Sequence, residues 1–129
     1  MCFSDPVANM LTMIRNANMR GYHNVSFPHS SFKLKICEKI KENGFFSHYW
    51  FDEKKKIIKV FIKHQNKRSK INELKKISTP SKHIHLKKKE INKFCKRNGF
   101  FIISTSQGLF TNKEAIKKNI GGKVIFFIR

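Results

Sequence analysis

Apolar residues recur at helical spacing near the start of the chain. Val7, Met10, Leu11, Ile14 and Ala17 fall on one face. Asp5-Pro6 precedes them, an acidic cap followed by a proline suited to the first helical position. Gly21 ends this helix. Val25 to Phe27 predicts a short strand, stopped by Pro28. Ser30 and Ser31 can cap a second helix whose buried face would carry Phe32, Ile36, Cys37 and Ile40, with Lys33, Lys35, Lys39 and Lys41 around the rest. Glu42-Asn43-Gly44 terminates it. The period then drops to two. Phe45 to Phe51 and Ile57 to Lys63 predict two strands across an Asp52-Glu53-Lys54-Lys55 turn. In the second, Ile58, Val60 and Ile62 alternate with Lys59, Phe61 and Lys63, as in a half-buried antiparallel strand.

His64 to Lys70 is polar, basic and free of aromatics, and predicts the boundary between two domains, residues 1–65 and 66–129. Beyond it, Leu74 and Ile77 predict a strand ending at Ser78-Thr79-Pro80-Ser81. Ile84 and Leu86 alternate with His83, His85 and Lys87 in the next. Lys88 to Asn98 reads as a short helix with Ile91, Phe94 and Cys95 inward, ended by Gly99. Phe100 to Ile103 is the apolar run of a buried strand. It stops at a polar loop, Ser104, Thr105, Ser106 and Gln107, where Gly108 permits a tight turn with φ above zero. Phe110 is expected to anchor that loop to the core. Thr111 and Glu114 have the spacing of a capping box, so a helix begins there and runs to Asn119. A Gly121-Gly122 turn leads into a last strand, Val124 to Ile128. The fold class is α/β (α+β) with two small domains. The N-terminal one has a three-stranded sheet and two helices, and the C-terminal one is mostly β with short helices.

Composition changes the picture in one direction. The 129 residues carry 28 Lys+Arg against 8 Asp+Glu, a net +20. Such self-repulsion implies a polyanionic partner, and RNA, DNA and an anionic membrane all qualify at this level. Hydrophobic residues make up 40%, with Phe 13, so an aromatic-rich core is available. No apolar stretch is long enough to span a bilayer, and neither a signal peptide nor an Arg-rich presequence is visible. Capped, interrupted short helices also argue against a membrane-surface polypeptide. Cys2, Cys37 and Cys95 are odd in number and widely spaced, which points to a reducing compartment and away from a disulfide framework. Abundant Phe, Ile, Asn and Lys is the composition of an AT-rich coding genome.

Two groups of residues offer chemistry. The stretch from Ser104 to Gly108 presents small hydroxyls and an open backbone beside a predicted helix start. A helix start offers unpaired N–H groups and partial positive charge suited to phosphate. Around it, Lys82, His83, His85, Lys87, Lys88, Lys89, Lys93, Lys96 and Arg97 form the densest basic set, a candidate phosphate-tracking face. Enzyme chemistry finds little support. Cys95 with His83 or His85 lacks any framing motif, His83-x-His85 with Cys95 lacks a fourth zinc ligand, and the acids form no pair. Lys67 and Ser69 follow no Gly-rich loop. No enzyme activity, cofactor, metal or small-molecule substrate is therefore expected.

Two motifs carry a resemblance. Ser104-Thr105-Ser106-x-Gly108-x-x-Thr111-x-x-x-Ala115, followed by Gly121-Gly122 before the last strand, resembles the signature of the small-subunit ribosomal protein eight family. Asp5-Pro6-Val7-Ala8-Asn9-Met10-Leu11-Thr12-Met13-Ile14-Arg15-Asn16-Ala17 is similar to that family's opening. The resemblance covers nearly the whole chain apart from Trp50 to Asn72. It implies a structural constituent of the bacterial-type small ribosomal subunit, organellar or from an AT-rich bacterium. Such a protein would sit in the ribosome, in a mitochondrial matrix, a plastid stroma or a bacterial cytoplasm. Its partners would be the central domain of small-subunit rRNA and neighbouring ribosomal proteins, with no membrane; the alternative is a free RNA-binding regulator or translational repressor. The implied RNA contacts are Ser104, Thr105, Ser106, Gln107, Gly108 and Thr111 in the central loop, with Gly121 and Gly122. Near the N-terminus they are Asp5, Pro6, Thr12, Arg15, Ser30 and Lys33. His85 stands where the family usually has a base-stacking Tyr, with Lys87 and Lys88 beside it. The chain departs from the family pattern at His29 and Ser31, at Gln107 where a basic residue is frequent, at Asn112 where Asp is frequent, and at Lys123 where an acid is usual.

Overall fold

The computed structural model describes residues 6–77, 84–94 and 99–129, with backbone alone at Asn92 and Phe94. The predicted roles of Cys2, Asp5, the Ser78–Ser81 segment, Lys82, His83, Cys95, Lys96 and Arg97 fall outside the described residues, as does the stretch of the predicted helix from Cys95 to Asn98. The chain divides into two units, Met1–Asn72 and Glu73–Arg129.

In the first unit, helix α1 (Pro6–Met19) turns Met10, Leu11, Ile14 and Ala17 into the core, the face its periodicity predicts. Strand β1 (Asn24–Pro28) leads to helix α2 (Ser31–Glu42), then β2 (Phe46–Asp52) and β3 (Ile57–Ile62). The strands pair in the order β1-β3-β2, antiparallel throughout. Ile58, Val60 and Ile62 point inward, while Ile57, Lys59 and Phe61 are only half-buried, so the alternation in the sequence matches the pleat.

Helix α2 differs from expectation at one turn. Phe32 is 36% exposed and Lys33 only 7%, so the lysine takes the inward position beside Ile36, Cys37 and Ile40. Its ammonium donates to the Pro28 carbonyl at 3.2 Å, which gives the inward-lying group one partner. Ser30 caps the helix, its hydroxyl accepting from the Lys33 N–H at 3.2 Å.

The polar stretch read as the domain boundary holds a small hairpin, β4 (His64–Gln65) and β5 (Arg68–Ser69). Asn66 and Lys67 take φ of 54° and 64°, the two positive values a two-residue type I′ turn requires. The Asn18 side-chain amide donates to the Ile71 carbonyl at 2.9 Å, so the segment after the hairpin is tied to α1.

The second unit is built around its last strand. It contains β6 (Leu74–Lys76), β7 (His85–Leu86), α3 (Ile91–Phe94), β8 (Phe100–Thr105), β9 (Gly108–Thr111), α4 (Asn112–Lys118) and β10 (Gly122–Ile128). Strand β10 pairs with β8 along one edge and with β6 and β7, end to end, along the other; β9 adds outside β8. Its core is Leu86, Ile91, Phe101, Ile103, Ala115, Val124 and Phe127. The Phe101 and Phe127 rings meet at 4.7 Å, tilted by 47°. Full burial of one such ring is worth about 1.5–3 kcal/mol. Phe110 packs against this cluster, as expected of an anchor.

Candidate nucleic-acid interface

The hydroxyl stretch is a hairpin tip. Thr105 pairs with Gly108, and Ser106 and Gln107 alone make the turn. Gly108 takes φ +127°, a conformation side chains with a Cβ rarely adopt. The Thr105 hydroxyl holds the turn closed. It donates to the Gly108 carbonyl at 2.8 Å and accepts from the Gln107 N–H at 3.1 Å. Thr105 is thus committed to shape, while Ser106 and Gln107 are exposed at the tip and Ser104 is half-buried just below it.

This overturns one part of the sequence reading. Helix α4 begins after Thr111, where the capping box put it, but not beside the Ser104–Gln107 hydroxyls. Strand β9 intervenes, and three residues of extended chain put the helix start about 10 Å from the tip. That start is already occupied. Thr111 is 2% exposed, accepts from the Glu114 N–H at 3.2 Å and donates to the Glu114 carboxylate at 3.2 Å. Asn112, 6% exposed, accepts from the Phe101 N–H at 3.2 Å and fixes the helix to β8. Both residues shape the frame and offer little to a ligand.

What stands beside the hydroxyls is the sheet. Cross-strand partners place His85, Lys123, Ser104 and Leu109 in one row over β7, β10, β8 and β9. Directly opposed residues project to the same side, so these four share a face. At the usual strand spacing of about 4.8 Å the row is roughly 14 Å long. Lys123 was noted in the sequence only as a departure from a family pattern; the unbroken apolar run of β10 shows no alternation, and it is the register opposite Ser104 that puts Lys123 in the site.

The double glycine makes this row close-packed. A Cβ on Gly121 would lie 2.3 Å from the Leu86 carbonyl oxygen and 2.9 Å from the Lys88 nitrogen, and one on Gly122 would lie 2.3 Å from the Ser104 carbonyl oxygen. Only glycine lets β10 enter between the Lys87–Lys88 backbone and the base of the hairpin. His85, Lys87, Lys88, Gly121, Gly122 and Ser104 through Gly108 are therefore brought together, the glycines as spacers. Lys87, Lys88 and Lys89 are exposed in and just before the turn into α3. On the other side of the hairpin, Lys118 lies 4.9 Å from the centre of the Phe110 ring. In the described part of this unit the acids are Glu73, Glu90 and Glu114. The first pairs with Arg129 at 3.6 Å and the third with Thr111, so the charge around the tip is cationic.

A second group lies in the first unit. Pro6, Asn9, Met10, Thr12, Met13, Phe27, Pro28 and Lys33 line an open groove of about 420 Å³ between the start of α1 and the β1–α2 turn. Pro6 and Thr12 line it. Arg15 is on the same helix, half-buried, and does not line it. Ser30 and Lys33 are engaged within the fold, through the cap and the Pro28 carbonyl. Lys33, expected among the RNA contacts, lines this groove while only 7% exposed, its stem packed inside.

Cys37, the one cysteine among the described residues, is buried in the core and belongs to neither group. Burial pushes the Cys37 thiol up to about 12, against the opposing pull of the Lys33 ammonium, so the thiolate is scarce at neutral pH. Among the described residues no cluster of three or more His, Cys, Asp or Glu is placed to hold a metal.

Comparison with known proteins agrees with the motifs. The family described as Ribosomal protein S8 matches residues 5–128. The chain is similar to the small ribosomal subunit protein uS8 of Staphylococcus haemolyticus, with 39% identity over 131 aligned positions and 99% of each chain covered. It is equally similar to that of Mycoplasmopsis synoviae, at 40% over the same span and coverage, and to that of Staphylococcus aureus, at 38%.

Proposed function

The chain belongs to the ribosomal protein S8 family, and from that premise we infer that it is a structural, non-catalytic constituent of the small ribosomal subunit that binds rRNA directly. Its seat is the ribosome. The rRNA it grips is a stem of the central domain, and it helps assemble the platform there beside neighbouring ribosomal proteins. A composition rich in Phe, Ile, Asn and Lys supports an AT-rich genome, an organelle's or a bacterium's, as its source.

The observation that carries this reading is the row His85–Lys123–Ser104 leading to a hydroxyl-bearing hairpin tip, on a chain of net charge +20. A-form RNA offers a wide, shallow minor groove lined with 2′-hydroxyls, and irregular stems display unstacked bases. A narrow two-residue turn with small side chains approaches such a surface closely. Ser106 and Gln107 exchange hydrogen bonds with riboses or base edges. Lys123 and the Lys87–Lys89 run neutralise phosphates, and His85 offers a ring for stacking. In the first unit, Pro6, Thr12 and Arg15 make a second contact, with Ser30 and Lys33 holding its floor.

Binding of the purified chain to a central-domain rRNA fragment tests this. Replacing Ser104 and Ser106 together by alanine is expected to weaken specific binding by about 1–3 kcal/mol, the cost of lost buried hydrogen bonds. Unchanged affinity for the cognate stem counts against the hairpin as the reader.

A further inference from the structure

The outer face of the first unit's sheet has no part in the interface described above. Two rows cross it. Ser26, Lys59 and Trp50 stand opposite one another on β1, β3 and β2, and Asn24, Phe61 and His48 form the neighbouring row. Opposed residues share a side, so all six point away from the helices' core. The pattern is ring beside cation, edged by a hydroxyl and an amide. His48 stacks on Phe61 with centroids 4.0 Å apart and planes 21° from parallel, and the Lys59 ammonium lies 5.5 Å from the same ring's centre. Trp50 is 55% exposed, and among the described residues no ring stacks on it. Asp52, the acid at the end of β2, turns its carboxylate to the Lys54 and Lys55 N–H groups at 3.0 and 3.2 Å.

We propose that this face is a stacking platform for the unpaired bases of a single RNA strand. An exposed indole on a flat sheet offers a π surface that any base can cover, and a flanking ammonium tracks the backbone between bases. Duplex RNA keeps its bases stacked on each other and cannot use such a surface. The face is too interrupted by Lys59, His48, Ser26 and Asn24 to be the apolar patch that a protein partner would bury, and a +20 chain is complementary to a polyanion. A base lies over Trp50, its phosphate reaches Lys59, and His48 on Phe61 continues the platform towards Asn24.

Trp50 is the one tryptophan of the chain, so its emission reports on this face alone. Titrating the full chain with an eight-residue oligouridylate is expected to quench that emission saturably, with reversal by salt. Heparin, a polyanion without bases, binds without comparable quenching. Trp50→Ala lowers affinity for a labelled oligouridylate by about tenfold, within the range of one base–aromatic stack, and Lys59→Gln lowers it several-fold. The Ser104→Ala/Ser106→Ala variant keeps the quench, which separates this face from the hairpin. The idea is overturned by equal quenching with heparin, by no quenching with RNA, or by unchanged affinity in Trp50→Ala. Quenching that a small-subunit ribosomal protein produces and RNA does not overturns it in favour of a protein partner.

Discussion

Lys33 occupies a position where the period of α2 calls for an apolar side chain, and the helix accommodates it through a single carbonyl. Its aliphatic stem covers core surface while the ammonium reaches the Pro28 oxygen at 3.2 Å. Sequence logic assigns charge to the outside, so Phe32 and Lys33 exchange roles relative to their types. One turn further on, Cys37 is a core residue in every respect. Burial raises its pKa from the ordinary thiol value of 9.0 to about 12. Folding therefore favours the protonated thiol. Its contribution is whole below pH 9 and is lost progressively as pH climbs towards 12, at about 1.4 kcal/mol for each pH unit. The check is urea denaturation from pH 8 to 10.5, comparing the chain with Cys37→Ala. The variant is expected to start less stable, through its cavity, and to lose less with rising pH, so the two curves converge. Parallel curves would mean that the thiol titrates as freely folded as unfolded.

At the scale of elements, glycines decide where backbones meet. Gly108 and Gly122 predict different costs for the same methyl group. Nothing lies within 4 Å of a Cβ at Gly108, so Gly108→Ala suffers only from its φ of +127°, a strain of about 1–3 kcal/mol. At Gly122 the obstacle is the Ser104 backbone oxygen, 2.3 Å away, and β8 and β10 must separate. Gly122→Ala is therefore expected to cost more than about 4 kcal/mol, in the exceptional range for a point change. Thermal or urea unfolding of the two variants gives the order; a reversed order would remove the close-packing argument. The same elements show what was readable beforehand. α1 and the β2–β3 hairpin follow from period, because each has one buried face and one more exposed one, whereas β10 was legible as a continuous apolar run, buried from Val124 to Ile128. β9 was taken for loop because Leu109 and Phe110 sit between a glycine and a cap, and four residues are too few for alternation to show. The β4–β5 hairpin was hidden because its turn is Asn66-Lys67, without the glycine that usually marks two positive φ values. The capping box, by contrast, was legible from two side chains three apart, and its hydrogen bonds are present. The hydroxyls of the site were legible as chemistry; their distance from the helix start was not, since that depended on β9.

Across the whole molecule, positive charge outweighs every individual contact in number, and affinity alone cannot show which lysines read and which merely hold. Salt can. Each phosphate neutralised releases counterions, and the logarithm of the binding constant falls with the logarithm of salt concentration by about 0.7–0.9 per phosphate. Lys88 is exposed, and its backbone, which Gly121 packs against, is fixed independently of its side chain. Lys88→Ala thus removes a charge with little disturbance of the row. It is expected to weaken binding to the central-domain stem and to random RNA by the same factor, and to flatten the salt slope by about one phosphate's share. The Ser104→Ala/Ser106→Ala pair should do the reverse, lowering cognate affinity with the slope unchanged, because hydroxyls displace no counterions. Titrations of both variants at four salt concentrations separate the two behaviours. A Lys88→Ala loss confined to the cognate stem would make that ammonium a reader of structure, and the division between a cationic track and a hydroxyl-bearing tip would have to be redrawn around it.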